Sequence, residues 1–169
     1  MRFLITQKIE LIMKNFQLKS LDSKQKDLGL KIPLINKYMV SVGKLITFKE
    51  DTPIMEVLNG LLDNRITGAP VVNDKGDVVG LIDDKDCLNI LVGNAYYNHP
   101  VGKDKVSEYM SNVMKTISID SDILNAANIF MTTPYKRLLV MDHNDKLAGQ
   151  ISRRDILRAI KDMNVNTTW

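Results

Sequence analysis

The chain has 169 residues, 44% of them hydrophobic and 25% charged, with a formal net charge of +3. That composition excludes a disordered chain and is enough for one compact unit with a real core. So balanced a charge, with no dense Lys/Arg block, argues against a nucleic-acid partner.

The amino end, residues 1–36, reads as an extension with an amphipathic helix: Ile5, Ile9, Ile12 and Phe16 recur at helical spacing. Lys8, Glu10 and Lys14 interrupt its apolar run, so a signal peptide is not expected. No apolar run is long enough for a membrane-spanning helix, and a cytoplasmic location is expected. Cys87 is the only cysteine, which rules out an intrachain disulfide; it reads as a small core residue. His99 and His143 fall in predicted loops and are expected to face solvent, with no metal site.

Next comes "LITF", a short β-prone run (45–48). "DTPIMEVLNGLLDN" follows as a helix with Pro53 at an early position and Ile54, Val57, Leu58, Leu61 and Leu62 on one face. "GAPVVND" and "DVVGLID" flank a turn and read as a hairpin, and "DKDCLNILVG" closes the set as a helix. After a linker rich in turn-formers at His99–Gly102, the same order returns. "KTISI" is a strand and "SDILNAANIFMTT" a helix with Ser121 or Asp122 as N-cap. "RLLVMDH" and "KLAGQIS" form a hairpin, and "RRDILRAIKDM" is the last helix.

The two sets match at an offset of 69 residues, as from Gly80 to Gly149. Thr47 meets Thr116, Asp51 meets Asp120, Asp86 meets Asp155 and Leu88 meets Leu157. Repetition decides the architecture. Each unit has an apolar sheet face that its two helices cannot cover, so two units packed sheet to sheet bury it. The fold class is therefore α/β (α+β): two βαββα repeats with pseudo-two-fold symmetry. Repeat one is placed at 37–95, the linker at 96–108, repeat two at 109–162 and a tail at 163–169. "KYM" and "EYM" mark equivalent lead-ins to the two repeats.

"GQISRRDIL" (149–157) joins the last strand to the last helix. Ser152 and Asp155 fit a capping box, and equally a hydroxyl–carboxylate pair that holds a ligand. The nonapeptide alone leaves both readings open.

With both sets of marks quoted, residues 37–161 resemble a CBS-domain pair, the Bateman module, a regulatory unit also found in the gamma subunit of AMP-activated protein kinase. Many such pairs bind AMP, ADP, ATP or S-adenosylmethionine in clefts between the copies. The family's ribose pattern, Gly-apolar-x-Ser/Thr-x-x-Asp, fits Gly149 to Asp155, with polar Gln150 at the apolar place. The resemblance implies that Ser152 and Asp155 hold ribose and phosphate. Arg154 or its neighbour Arg153, and Arg137, would reach the phosphates. The adenine would lie against Lys44, Leu45 and Ile46 and against Ile66, Thr67 and Gly68. Copy one keeps Asp86 but has Asp83 for the hydroxyl. Its cleft, with Thr116, Pro134, Tyr135 and Lys136, is expected to bind nucleotides weakly, because Asp83, Asp84 and Asp86 oppose a phosphate.

The expected function is a stand-alone regulatory module for an adenosine-containing ligand of the AMP, ADP or ATP class. With no further domain expected on the chain, its output would pass to a regulated partner protein or to its own oligomer. Family pairs commonly dimerise, which implies a homodimer with Leu61, Leu62, Phe130 and Met131 as contacts. The alternative is a structural dimerisation module without a ligand. No Walker loop, nucleophile elbow or Cys/His pair supports an enzyme, and no catalytic cofactor is expected.

Overall fold

A computed structural model describes residues 32–97 and 104–165. The predicted N-terminal helix, the turn at His99–Gly102 and the last four residues lie outside them. The strands are β1 (Val40–Ser41), β2 (Phe48–Lys49), β3 (Gly68–Val72), β4 (Val78–Asp83), β5 (Thr116–Ser118), β6 (Arg137–Met141) and β7 (Leu147–Ser152). The helices are α1 (Ile54–Asp63), α2 (Asp84–Tyr97), α3 (Ile123–Thr132) and α4 (Arg153–Val165).

Local chemistry sets the element ends. Pro53 is the N-cap of α1 instead of a helical residue. Asp122 caps α3 by accepting the Asn125 N–H at 2.8 Å. At the end of α1, Arg65 takes the left-handed conformation (φ 52°). Its N–H reaches Leu62 O at 3.1 Å and the Ile66 N–H reaches Leu61 O at 3.0 Å, a Schellman motif that also folds Ile66 back on the helix. The hairpin turns are held by Asn73 Oδ1, accepting from the Lys75 and Asp77 N–H groups, and by Asp142 Oδ1, accepting from Asn144 and Lys146. The "LITF" expectation is shifted: Leu45–Thr47 are irregular and only Phe48–Lys49 enter a sheet.

Each repeat forms one sheet. In the first, β2 lies parallel to β3 and β3 antiparallel to β4, with Phe48 opposite Val71 and Ala69 opposite Ile82. In the second, the order is β1-β7-β6-β5, with Leu138 opposite Ile151 and Val40 opposite Gln150. One core packs Ile54, Val57 and Leu61 of α1 with Val71, Ile82 and Cys87. The other packs Ile123, Ala126 and Phe130 of α3 with Leu138, Val140 and Ile151. Pro70 and Leu139, equivalent by the 69-residue offset, are fully buried yet belong to neither helix-side core.

The lead-ins are exchanged. The 3-10 turn Ile35–Lys37 precedes repeat one, but Ile35 and Tyr38 sit in the core of repeat two. The Ile35 N–H donates to Ser121 O at 2.9 Å, and β1 then pairs with β7. Reciprocally, Val106 of the turn Val106–Glu108 is buried in the core of repeat one, and its N–H donates to Thr52 O at 2.9 Å. Gly149 permits the first crossing, because a Cβ there would lie 2.3 Å from Val40 O.

The repeats touch at self-equivalent positions. Lys146 pairs with Asp77, 69 residues away. The Arg137 guanidinium lies against Gly68, where a Cβ would be 2.8 Å from Nη1. Contacts between equivalent residues mark the pseudo-two-fold axis.

Two of the expected dimer contacts are internal. Leu61 is 3% exposed and Phe130 8%, whereas Leu62 and Met131 are 65% and 59% exposed. Leu61 and Phe130 face their own sheets, and the next residue on each helix turns outward. If Ile35 belongs to the core of repeat two, Ile35→Ala should cost about 2–5 kcal/mol, the range for a fully buried aliphatic side chain. Denaturant unfolding at unchanged m-value checks this, and a change near zero would contradict the exchanged packing.

Candidate functional site

The two candidate sites lie where a hairpin's second strand runs into a helix. In repeat two, β7 ends at Ser152 and α4 begins at Arg153, so Ser152 is the N-cap and Asp155 the third helical residue. The Ser152 N–H donates to Asp155 Oδ2 at 2.9 Å and the Ser152 hydroxyl donates to the same oxygen at 2.6 Å. Asp155 Oδ1 accepts from Arg158 Nη2 at 2.7 Å. The Asp155 carboxylate is thus buried, with its side chain 8% exposed, and is already part of a helix cap. A carboxylate offers about four lone-pair sites, so roughly one, on Oδ1, remains for a further donor. Arg158 was not anticipated as part of this site; the Asp-x-x-Arg spacing on one helix face was the available signal.

In repeat one the junction closes on itself. The Asp83 N–H donates to Asp86 Oδ2 and the Asp86 N–H to Asp83 Oδ1, both at 3.0 Å. This is a reciprocal capping box built from two carboxylates. Beside it lies a cleft of about 440 Å³ lined by Leu81, Asp83, Asp86, Ser111, Tyr135 and Arg137, with Pro134 and Lys136 on the same wall. Ser111 reaches it by pairing with Leu81 through two backbone hydrogen bonds, of 2.9 and 2.8 Å.

The offset carries this lining onto the other half. Leu81, Asp83 and Asp86 become Gln150, Ser152 and Asp155, and Tyr135, Lys136 and Arg137 become Ile66, Thr67 and Gly68. The 3-10 turn Val42–Lys44 packs on β7, bringing Lys44, Leu45 and Ile46 past the same strand. Ile46 and Ile66 also pack against the core of repeat one. Thr116 departs from expectation. It pairs with Leu139, further along β6 than Arg137, and lines a separate depression with Asp142 and His143 instead of the Asp86 cleft.

The cationic residues divide unequally. Arg137 donates from Nη2 to Thr67 Oγ1 at 2.8 Å and lines the Asp86 cleft. Burial lowers its pKa, the charges of Asp83 and Asp84 pull it back up, and it stays cationic. Lys136 Nζ lies 3.9 Å from Asp83 and 3.8 Å from Asp84. Arg153 is tied to Tyr135 O at 2.9 Å. Arg154 is exposed and makes no hydrogen bond or ion pair among the described residues. Cys87 is buried, and that burial pushes its thiol pKa up, so it is inert core as expected. His143 is exposed, 3.4 Å from Asp120.

The model for "CBS domain" matches twice, at residues 35–93 and 106–162. The chain belongs to the CBS domain family. It is 28% identical over 149 residues to the CBS domain-containing protein CBSX1, chloroplastic, of Arabidopsis thaliana, covering 70% of this chain and 63% of that protein. Its fold is similar to CBSX2 of the same plant, solved in complex with AMP, at TM-score 0.66 and 23% identity over 78% of this chain and 98% of that one. It is equally similar to the CBS domain pair of MJ0100 in complex with 5'-methylthioadenosine and S-adenosyl-L-methionine, at TM-score 0.66, 23% identity and the same coverages. No helix among the described residues is long and apolar enough to cross a membrane.

The acidic junction of the first CBS repeat has a measurable signature. Burial is the largest influence on the Asp86 carboxyl and raises its pKa; the Asp83 N–H opposes this, and the Asp83 charge adds to it. Ionising Asp86 is therefore harder in the folded chain than in the unfolded one. The resulting destabilisation is absent below the ordinary carboxylate pKa and fully present above the raised one. Asp86→Asn keeps an acceptor for the Asp83 N–H and removes the charge. It should melt higher than the parent at neutral pH and converge with it in acid, as followed by calorimetry over a pH series.

Proposed function

We propose that this CBS pair is a non-catalytic regulatory module that takes an adenosine-containing ligand of the AMP, ADP or ATP class in the Ser152–Asp155 cleft. The observation that carries this reading is the asymmetry of the two junctions. The opening turn of α4 presents backbone N–H groups and Arg154, which has no side-chain partner among the described residues, both suited to an anion, while the Ser152 hydroxyl, its proton given to Asp155, offers lone pairs to a donor. Asp155 keeps acceptor capacity for a ribose hydroxyl, and Thr67 and Gly68 leave the facing wall small. The equivalent turn of α2 offers Asp83, Asp84 and Asp86 to a phosphate and is the poorer site. The AMP held by CBSX2 and the adenosine compounds held by MJ0100 support the ligand class.

A second reading, a dimerisation module without ligand, draws on one observation: both Asp155 oxygens are already engaged, Oδ2 by the cap and Oδ1 by Arg158. The test separates them. Asp155→Asn keeps a carbonyl for the cap and removes the charge. The ligand-free variant should melt near the parent, while AMP or ATP affinity falls by roughly ten- to a hundredfold, the worth of a hydrogen bond to a charged group. Unchanged calorimetric affinity in a less stable variant would leave only the cap.

The output surface we infer is the helical face. Leu62 and Met131 are equivalent and exposed, as are Leu88 and Leu157 at 60% and 68%. In repeat one they border an apolar groove of about 440 Å³ with Leu58 and Leu91. Equivalent patches on both repeats suit a closed two-fold dimer in which each helical face meets its counterpart. Leu88→Glu with Leu157→Glu should yield a folded monomer by light scattering where the parent is dimeric. A monomeric parent at high micromolar concentration would remove this surface from the account.

A further inference from the structure

Gln150 holds a buried amide oxygen that no described residue satisfies. Its Oε1 is shielded from solvent and accepts no hydrogen bond among the described residues. A buried acceptor without a donor costs free energy that an apolar side chain of similar shape avoids. Repeat one avoids it: the equivalent residue is Leu81, which lines the cleft beside Asp83 and Asp86.

The position of Gln150 tells what its amide addresses. Along β7 the side chains alternate, and Ile151 points into the helix-side core. Gln150 and Ser152 therefore share the opposite face, the one that carries Leu139, directly across from Gln150. Val40 of β1 flanks it on the other side. The same strand thus delivers the Ser152 hydroxyl at its end and, two residues earlier, an unsatisfied carbonyl. A nucleoside monophosphate with its ribose at Asp155 has a base as its remaining polar part. A glutamine amide is a good reader of adenine, since its oxygen accepts from the exocyclic amine while its NH2 donates to a ring nitrogen.

We propose that Gln150 is a base-reading residue: its amide turns Oε1 out of the solvent-shielded position it holds without ligand, and that oxygen accepts a hydrogen bond from the 6-amino group of the bound purine, selecting 6-aminopurine nucleotides. This rests on the Ser152–Asp155 cleft being an adenosine site.

The test compares AMP with purine riboside 5'-monophosphate, which lacks the 6-amino group, on the parent and on Gln150→Leu by calorimetry. The parent should bind AMP about tenfold more tightly than the unsubstituted purine, the worth of one satisfied neutral hydrogen bond. Gln150→Leu should lose about that factor for AMP alone and melt at least as high as the parent without ligand, because the orphaned oxygen is gone. Equal loss for both nucleotides, or AMP affinity like the parent's, overturns the assignment while leaving the Asp155 site standing. A ligand-free variant that melts markedly lower also overturns it, since the amide then serves the fold. If the parent binds neither nucleotide, both this assignment and the adenosine reading fail.

Discussion

A pseudo-two-fold axis forces residues on it to meet their own equivalents, and the rest of this molecule follows from how that constraint is met. Two identical copies would set Arg against Arg or Asp against Asp. Instead Gly68 faces Arg137 and Asp77 faces Lys146, a small–large pair and an acid–base pair. Each pairing works only between a first and a second repeat. Two first repeats would oppose Asp77 to itself, and two second repeats would oppose Arg137 to itself. Complementarity and like-charge conflict together specify the partner, as in interfaces that discriminate by repulsion as well as attraction. The exchanged lead-ins add a covalent version of the same specification, since Ile35 completes one core and Val106 the other.

The asymmetry on the axis carries into the clefts. Arg137 is the large member of its pair, and it occupies the wall of the repeat-one cleft within electrostatic reach of Asp83 and Asp84. Lys136 lies beside the same carboxylates. Two cations of repeat two thus stand against the three carboxylates of the junction. On the other side, Thr67 and Gly68 bring no charge, and the cations of the α4 junction have no acid from repeat one to answer them among the described residues. The two junctions therefore differ in charge, one acidic and one basic at its opening turn. Pairing chemistry between the repeats and inequality between the sites are one fact seen from two places.

Much of this was legible in the chain because duplication turns every element into two observations. The 69-residue offset aligns α1 with α3, the two hairpins, and Gly76 with Asp145, both at positive φ in their turns. What the sequence could not show is which core a short lead-in joins. "KYM" and "EYM" look alike, and only the backbone bonds from Ile35 to Ser121 and from Val106 to Thr52 decide that they cross over. Periodicity likewise finds the apolar stripe of α1 but does not divide its edge. Leu61 and Leu62 differ by one step around the helix, enough to put one in the core and the other in solvent. Thr116 lies away from the Asp86 cleft for a related reason: position along a strand depends on register, and its partner is Leu139.

Ser152 and Asp155 cap a helix, and counting acceptors shows why the same pair suits a ligand as well. A helix start needs acceptors for its free N–H groups, and a ribose needs acceptors for its hydroxyls. The same carboxylate answers both needs, so a capping sequence and a binding sequence look alike. In repeat one the two carboxylates cap each other's backbone, and the Asp86 pKa is raised first by burial and then by the Asp83 charge. Replacing the first acid by Ser152 removes the like-charge neighbour and supplies a donor in its place. It also leaves the hydroxyl's lone pairs and part of Asp155 Oδ1 uncommitted. Arg158 takes one share of that oxygen through a long, exposed side chain, and the buried carboxylate could release it only to another donor. The cap therefore holds Asp155 in place before anything binds, and preorganisation of that kind is what the proposed ligand role would require of it.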